Sequence, residues 1–241
     1  MNPNESEQRV RGKRQQTYAL VGAIAALVVL AIALIALAQQ SALMAPPDEG
    51  AGVYSDLPVS ATDIGLYRLG DADAPVMIEV FSSFTCPHCA NFHKTAADLI
   101  DPYVKDGTLS IVFYPLANSQ RAHVGSRAVV CAGQQAPATF WALSDVIYSW
   151  IGEPYDEARV EEAAATMGLD VEALRACMAD EATLDILQAA MDAAIAAGVR
   201  GTPALFFNGE RPDCGRPGDL CEGNLPYNMV VQNIEHHQAM Q

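Results

Sequence analysis

Cys86 and Cys89 stand three positions apart around Pro87 and His88, directly after the apolar run VMIEVF, and no other feature of the chain restricts its fold as much. A strand that runs into a turn with proline one residue beyond the first cysteine predicts a helix start. Cys86 takes the N-cap, and the missing N–H of Pro87 costs nothing in the first helical turn. PHCANFHKTAADLIDPYV continues in helical composition, with Pro102 as a kink or the end.

The spacing narrows the chemistry. A c-type haem site needs histidine immediately after the second cysteine, and Ala90 stands there. A structural zinc site needs about four ligands, and the other cysteines lack the matching second pair. Cys89 and His93 share a helix face, so a copper or zinc site built from Cys86, Cys89 and His93 stays open, beside the plainer reading of His93 as a packing residue. A redox pair fits better, because residues three apart on one helical turn have neighbouring Cβ atoms that a disulfide can join. Cys86 then sits among unpaired backbone N–H groups at the positive end of the helix dipole, which favours its thiolate and makes it the attacking sulfur. Cys89, a turn deeper, is the resolving thiol. His88 adds a donor beside the sulfur that favours the reduced form, as a disulfide donor requires.

Around this centre, LYRLG and PVMIEVFSS read as strands, as does TLSIVFYPL from Thr108 to Leu116. From about Gln120 to Ala197 apolar residues recur at helical spacing, with breaks at Gly168 and Asp180. PALFFNGE returns to strand character, Asn208-Gly209 predicts a turn into another short strand, and Tyr227 to Gln238 reads as a last helix. This order predicts an α/β sheet with helices on its faces.

The N-terminus is different. Arg9, Arg11, Lys13 and Arg14 precede an uncharged run of 21 residues from Tyr18 to Ala38. At about 1.5 Å per residue such a helix just crosses a ~30 Å hydrocarbon core. The reading is a basic cytoplasmic segment at 1–17, a single transmembrane anchor at 18–38 and a linker at 39–62 rich in Ala, Pro, Gly and Ser. The alternative is a cleaved signal, since Ala36 and Ala38 precede Gln39 in an A-x-A pattern. Either way the remainder is exported, where six cysteines are free to oxidise. A net charge of −15 without a basic cluster after residue 14 argues against a nucleic-acid partner. Cys214 and Cys221 bracket the Gly/Pro-rich loop CGRPGDLC, which buries little surface and gains from closure by a structural disulfide.

The chain resembles DsbA-like thiol-disulfide oxidoreductases of the thioredoxin superfamily from about residue 63 to the end. The resemblance rests on APVMIEVFSSFTCPHCANFH, AVVCAG, ALRACMAD and, above all, GVRGTPALFFNG. It implies a thioredoxin fold with an inserted helical domain at about 119–198, and a cis-proline, Pro203, preceded by Thr202, that shapes a groove where an extended client adds a strand. Without the resemblance, composition favours a trans Thr202–Pro203 bond. It also implies a structural disulfide between Cys131 and Cys177, each of which could otherwise be an ordinary buried hydrophobe. One departure stands out: relatives often place a buried glutamate six residues before the first cysteine, where this chain has Val80, with Glu79 one residue earlier. Adjacent strand residues face opposite sides, so Glu79 reads as a surface carboxylate unless a bulge turns it inward.

Together these readings describe a membrane-anchored extracytoplasmic (periplasmic) oxidase that introduces disulfides into reduced exported clients and needs no metal or organic cofactor. The resemblance implies renewal by a quinone-linked membrane oxidase of the DsbB or vitamin K epoxide reductase type. The alternatives are a reductase or isomerase, a copper metallochaperone using His93, and a catalytically idle interaction domain.

Overall fold

The computed structural model describes residues 47–212 and 223–240. The anchor at 18–38, the linker up to residue 46, and Cys214 with Cys221 lie outside the described residues. Among the described residues no helix is long and apolar enough to cross a membrane.

Among the described residues five strands form one sheet: β1 (Val59–Ala61), β2 (Tyr67–Leu69), β3 (Val76–Ser82), β4 (Leu109–Pro115) and β5 (Ala204–Phe207), in the order β1-β2-β4-β3-β5. β3 is an interior strand, paired with β4 on one edge and with β5 on the other, and both of its faces are covered. Val76, Ile78, Val80 and Ser82 are buried on one face and Phe81 on the other, which is why the segment reads as an almost continuous apolar run. Its partner β4 is parallel, with Ile78 opposite Ile111, and such a pair requires a crossover. That crossover carries α1 (Pro87–Asp98), which buries Cys89, Ala90, Phe92, His93 and Ala96. Pro102 acts at a distance of four residues: it has no N–H to offer Asp98, so α1 ends there and the chain continues as a wide turn over Ile100–Val104.

Five helices follow: α2 (Gln120–Gln135), α3 (Pro137–Ser149), α4 (Glu157–Thr166), α5 (Val171–Ala179) and α6 (Glu181–Ala196). Gly168, at φ 76°, and Asp180, whose carboxylate accepts from Ala182 N, make the two expected breaks. Two more come from Ala136, held extended before Pro137, and from the loop that leads to the Asp156 cap. The Cys131–Cys177 disulfide ties α2 to α5. α3 brings Phe140 and Trp141 against Phe113 of β4, joining the helical block to the sheet in one core.

Two expectations change. The linker is not a tether as far as residue 62: a kinked 3-10 helix (Pro47–Tyr54) and the edge strand β1 occupy its second half. Tyr54 is buried, its ring 6.2 Å from Trp141 and its hydroxyl donating to Asp145 Oδ1 at 3.1 Å. Isolated anchors of this kind leave no periodicity to read. The turn at Asn208-Gly209 has both residues at positive φ, but pairing beyond it is a single bridge between Phe207 and Glu210 rather than a strand. The chain ends its described course with α7 (Tyr227–Gln238), packed on β3 and β5.

Candidate active site

The end of β3 and the start of α1 place two thiols in different surroundings. Cys86 is the N-cap of α1, in extended conformation at φ −97°, and is half-buried; Cys89 is 1% exposed. Cys86 Sγ donates to the Thr202 carbonyl at 3.2 Å, and the Thr202–Pro203 bond is cis. Cys89 Sγ accepts from Ser83 N at 3.4 Å. The loop before β5 thus meets the turn after β3, which brings Thr202 and Pro203 beside the dithiol.

Their acidities diverge for physical reasons. For Cys86 partial burial opposes ionisation, but the Thr202 side chain, the Cys89 amide and thiol, and the His88 amide outweigh it and hold the thiol below its ordinary value. For Cys89 burial dominates and pushes the thiol up to about 11, against hydrogen bonds from the Ser82 side chain, Ser83 N and Thr202. The two cysteines are therefore chemically unlike although they are one helical turn apart.

The His88 side chain is exposed, and its backbone N–H at the helix start favours the Cys86 thiolate. Pro87 occupies the first helical position, also exposed. His93 does not join the thiols as a metal ligand. Its Nε2 lies 2.5 Å from Asp145 Oδ1 and its ring packs 4.7 Å from that of Tyr148, with both residues lining a cavity of about 500 Å³ behind α1. Among the described residues no three His, Cys, Asp or Glu side chains converge as a metal site.

Glu79 pairs in register with Val112 in an unbroken ladder, so no bulge turns it toward Cys89. It is not a free surface carboxylate either: it is half-buried on the opposite face and accepts from Tyr114 OH at 3.0 Å. The polar groups on the cysteine side are ones that sequence reasoning missed. Ser82 Oγ and Tyr148 OH lie 2.6 Å apart, both residues buried. Ser82 could have been found as the residue two after Val80 on the same strand face; Tyr148 carries no local signal.

A thioredoxin family profile matches residues 62–217. The catalytic domain of Proteus mirabilis ScsC superposes with a TM-score of 0.59 at 21% identity, over 74% of this chain and 92% of that one. BdbD from Bacillus subtilis gives 0.62 at 17%, over 76% and 99%. The thiol-disulfide exchange protein alpha-DsbA2 from Wolbachia pipientis gives 0.61 at 16%, over 79% and 95%. A curated relative, the Na(+)/H(+) antiporter NhaA of Herminiimonas arsenicoxydans, is 26% identical over 142 residues, which are 59% of this chain but only 22% of that protein. With the family profile spanning most of the folded region, the chain belongs to the thioredoxin family.

Proposed function

We propose that the protein is a membrane-anchored, extracytoplasmic oxidase that donates the Cys86–Cys89 disulfide to reduced exported proteins. The observation that carries this is the asymmetry of the pair, with Cys86 held low and half-exposed while Cys89 is buried and held high. A client thiolate attacks the accessible Cys86 sulfur and forms a mixed disulfide, releasing Cys89 as the leaving group. A second client thiolate then attacks the client sulfur, the client disulfide forms, and Cys86 departs as its stabilised thiolate. A low-pKa Cys86 leaves readily and favours the reduced enzyme, which drives electrons from client to enzyme. Thr202 and Pro203 form the wall along which an extended client segment lies, and Pro87 starts the helix whose amides, including that of His88, receive the charge.

The reduced pair needs an electron acceptor, for which a quinone-linked membrane oxidase of the DsbB or vitamin K epoxide reductase type has the right chemistry. The run Tyr18–Ala38 would hold the domain at that membrane. Retention of the protein in carbonate-washed membranes supports the anchor, and a mature N-terminus at Gln39 overturns it. Cys214 and Cys221 would close their loop as a second structural disulfide, visible as one linked peptide in an unreduced digest.

Equilibration of the Cys86–Cys89 pair with glutathione tests the direction. An oxidase has a potential well above about −270 mV, the value typical of thioredoxin, and a measurement near that figure would assign the protein to the reductase alternative. The copper alternative needs His93 beside both thiols, and among the described residues no three His, Cys, Asp or Glu side chains converge.

A further inference from the structure

Val80 leaves no carboxylate on the strand face beneath the resolving thiol. What stands there is a buried hydroxyl pair, Ser82 Oγ and Tyr148 OH at 2.6 Å, contributed by β3 and α3. Either oxygen can donate in that contact, but the surroundings favour one order. Cys89 Sγ already accepts from Ser83 N at 3.4 Å, and the Ser82 side chain is among the groups that favour the ionised form of the Cys89 thiol. If Tyr148 donates to Ser82, the serine proton is free to point at sulfur. If Ser82 donates to Tyr148 instead, a buried Cys89 thiolate goes without the serine hydroxyl as a donor.

We propose, resting on the thiol-disulfide reading above, that Tyr148 orients the Ser82 hydroxyl to donate to Cys89 as its sulfur takes on negative charge, making the two side chains positioning residues for the resolving step. In that step Cys89 sulfur attacks the Cys86 sulfur of a mixed disulfide. The Cys86–Cys89 bond forms, the bond from Cys86 to the other sulfur breaks, and the departing thiolate is protonated, so that one thiol proton is transferred in total from Cys89 to the leaving group. The hydroxyl pair supplies no electrons and keeps its own protons. Its contribution is a hydrogen bond that strengthens as the charge develops on Cys89.

Loss of one hydrogen bond to a charged sulfur lowers the thiolate population about 10- to 100-fold. A more basic thiolate is also a better nucleophile, with a Brønsted slope of about 0.4–0.5, so the rate falls less, by about three- to tenfold. Reduced full-length protein mixed with oxidised glutathione separates the two steps: Cys86 attack forms a glutathione adduct, and Cys89 attack resolves it, both followed by acid quench and mass spectrometry. In Ser82→Ala and Tyr148→Phe the adduct should form within about twofold of the wild-type rate, resolve about three- to tenfold more slowly and accumulate, while Ser82→Thr restores resolution. Unchanged adduct lifetimes overturn the proposal, as do equal losses in both steps, which would mark a loosened α1 rather than a lost donor. Should Ser82→Ala fail to fold, Tyr148→Phe decides alone, because it removes one oxygen and keeps the ring. Absence of any Cys86 adduct in the wild type and in Cys89→Ala would defeat the oxidoreductase reading itself, a result distinct from adducts with unaltered lifetimes.

Discussion

Cys86 Sγ lies 3.2 Å from the carbonyl oxygen of Thr202, a residue 116 positions further along the chain. The contact joins the turn that ends β3 to the loop that begins β5, and it leaves the half-buried Cys86 sulfur beside half-buried Thr202. In the thiol form Sγ donates to this carbonyl; on ionisation the helix amides become its partners.

Division of labour between the thiols is directly testable. Cys89→Ala should keep the attacking sulfur and lose resolution, so disulfide-linked adducts with clients should accumulate and disappear on reduction in gel shift or mass spectrometry. Cys86→Ala should form none. The reverse pattern would exchange the two roles.

The pH dependence of the reduced protein follows from the direction of each shift. Cys89 has a folded pKa of about 11, raised from 9.0, so the stability it contributes is present below pH 9 and is lost as pH rises toward 11. Cys86 is lowered, so its contribution is present above its unfolded value and is lost as pH falls through its folded one. Denaturant titrations of the reduced protein should show about 2 kcal/mol more loss between pH 9 and 11 than the same titrations of Cys89→Ala, the comparison removing the buried tyrosines common to both. Equal losses would place the Cys89 thiol near its ordinary value.

The Cys131–Cys177 bridge spans a sequence separation of 46 and packs against Thr183 Oγ1. Its removal as the Cys131→Ala/Cys177→Ala double variant should destabilise the domain by about 2–4 kcal/mol in urea titrations, mainly by freeing the unfolded chain. Glutathione-linked redox activity at Cys86 should persist. In mild reductant this pair should stay oxidised after Cys86 and Cys89 are reduced, which alkylation mapping reads out.

Gly133 lies on α2 where a Cβ would stand 2.3 Å from Tyr67 Cε2. Tyr67 is itself buried and packs on Phe140 at a centroid distance of 5.1 Å, so it has little room to retreat. Gly133→Ala should therefore lower stability by about 1–3 kcal/mol in thermal or urea denaturation, despite the higher helix propensity of alanine. A stabilised variant would mean that the ring moves aside freely.

The redox turn was legible in the chain because its determinants are local. A strand, an N-cap cysteine, a proline at the first helical position and a second cysteine one turn on lie within fourteen residues, Val76 to Cys89, and each acts through its immediate neighbours. The helix breaks at Gly168 and Asp180 were equally readable, since left-handed φ and side-chain capping are properties of single residues. Only the tertiary structure decided what surrounds the resolving thiol. Ser82 and Tyr148 are 66 positions apart, and His93 is paired with Asp145, 52 positions away. The edge segment from Pro47 to Ala61 likewise acquires its order from Trp141, Asp145 and β2. Burial and hydrogen-bond partnership belong to pairs of distant segments, and spacing within one segment carries no trace of which side chain will arrive from the other.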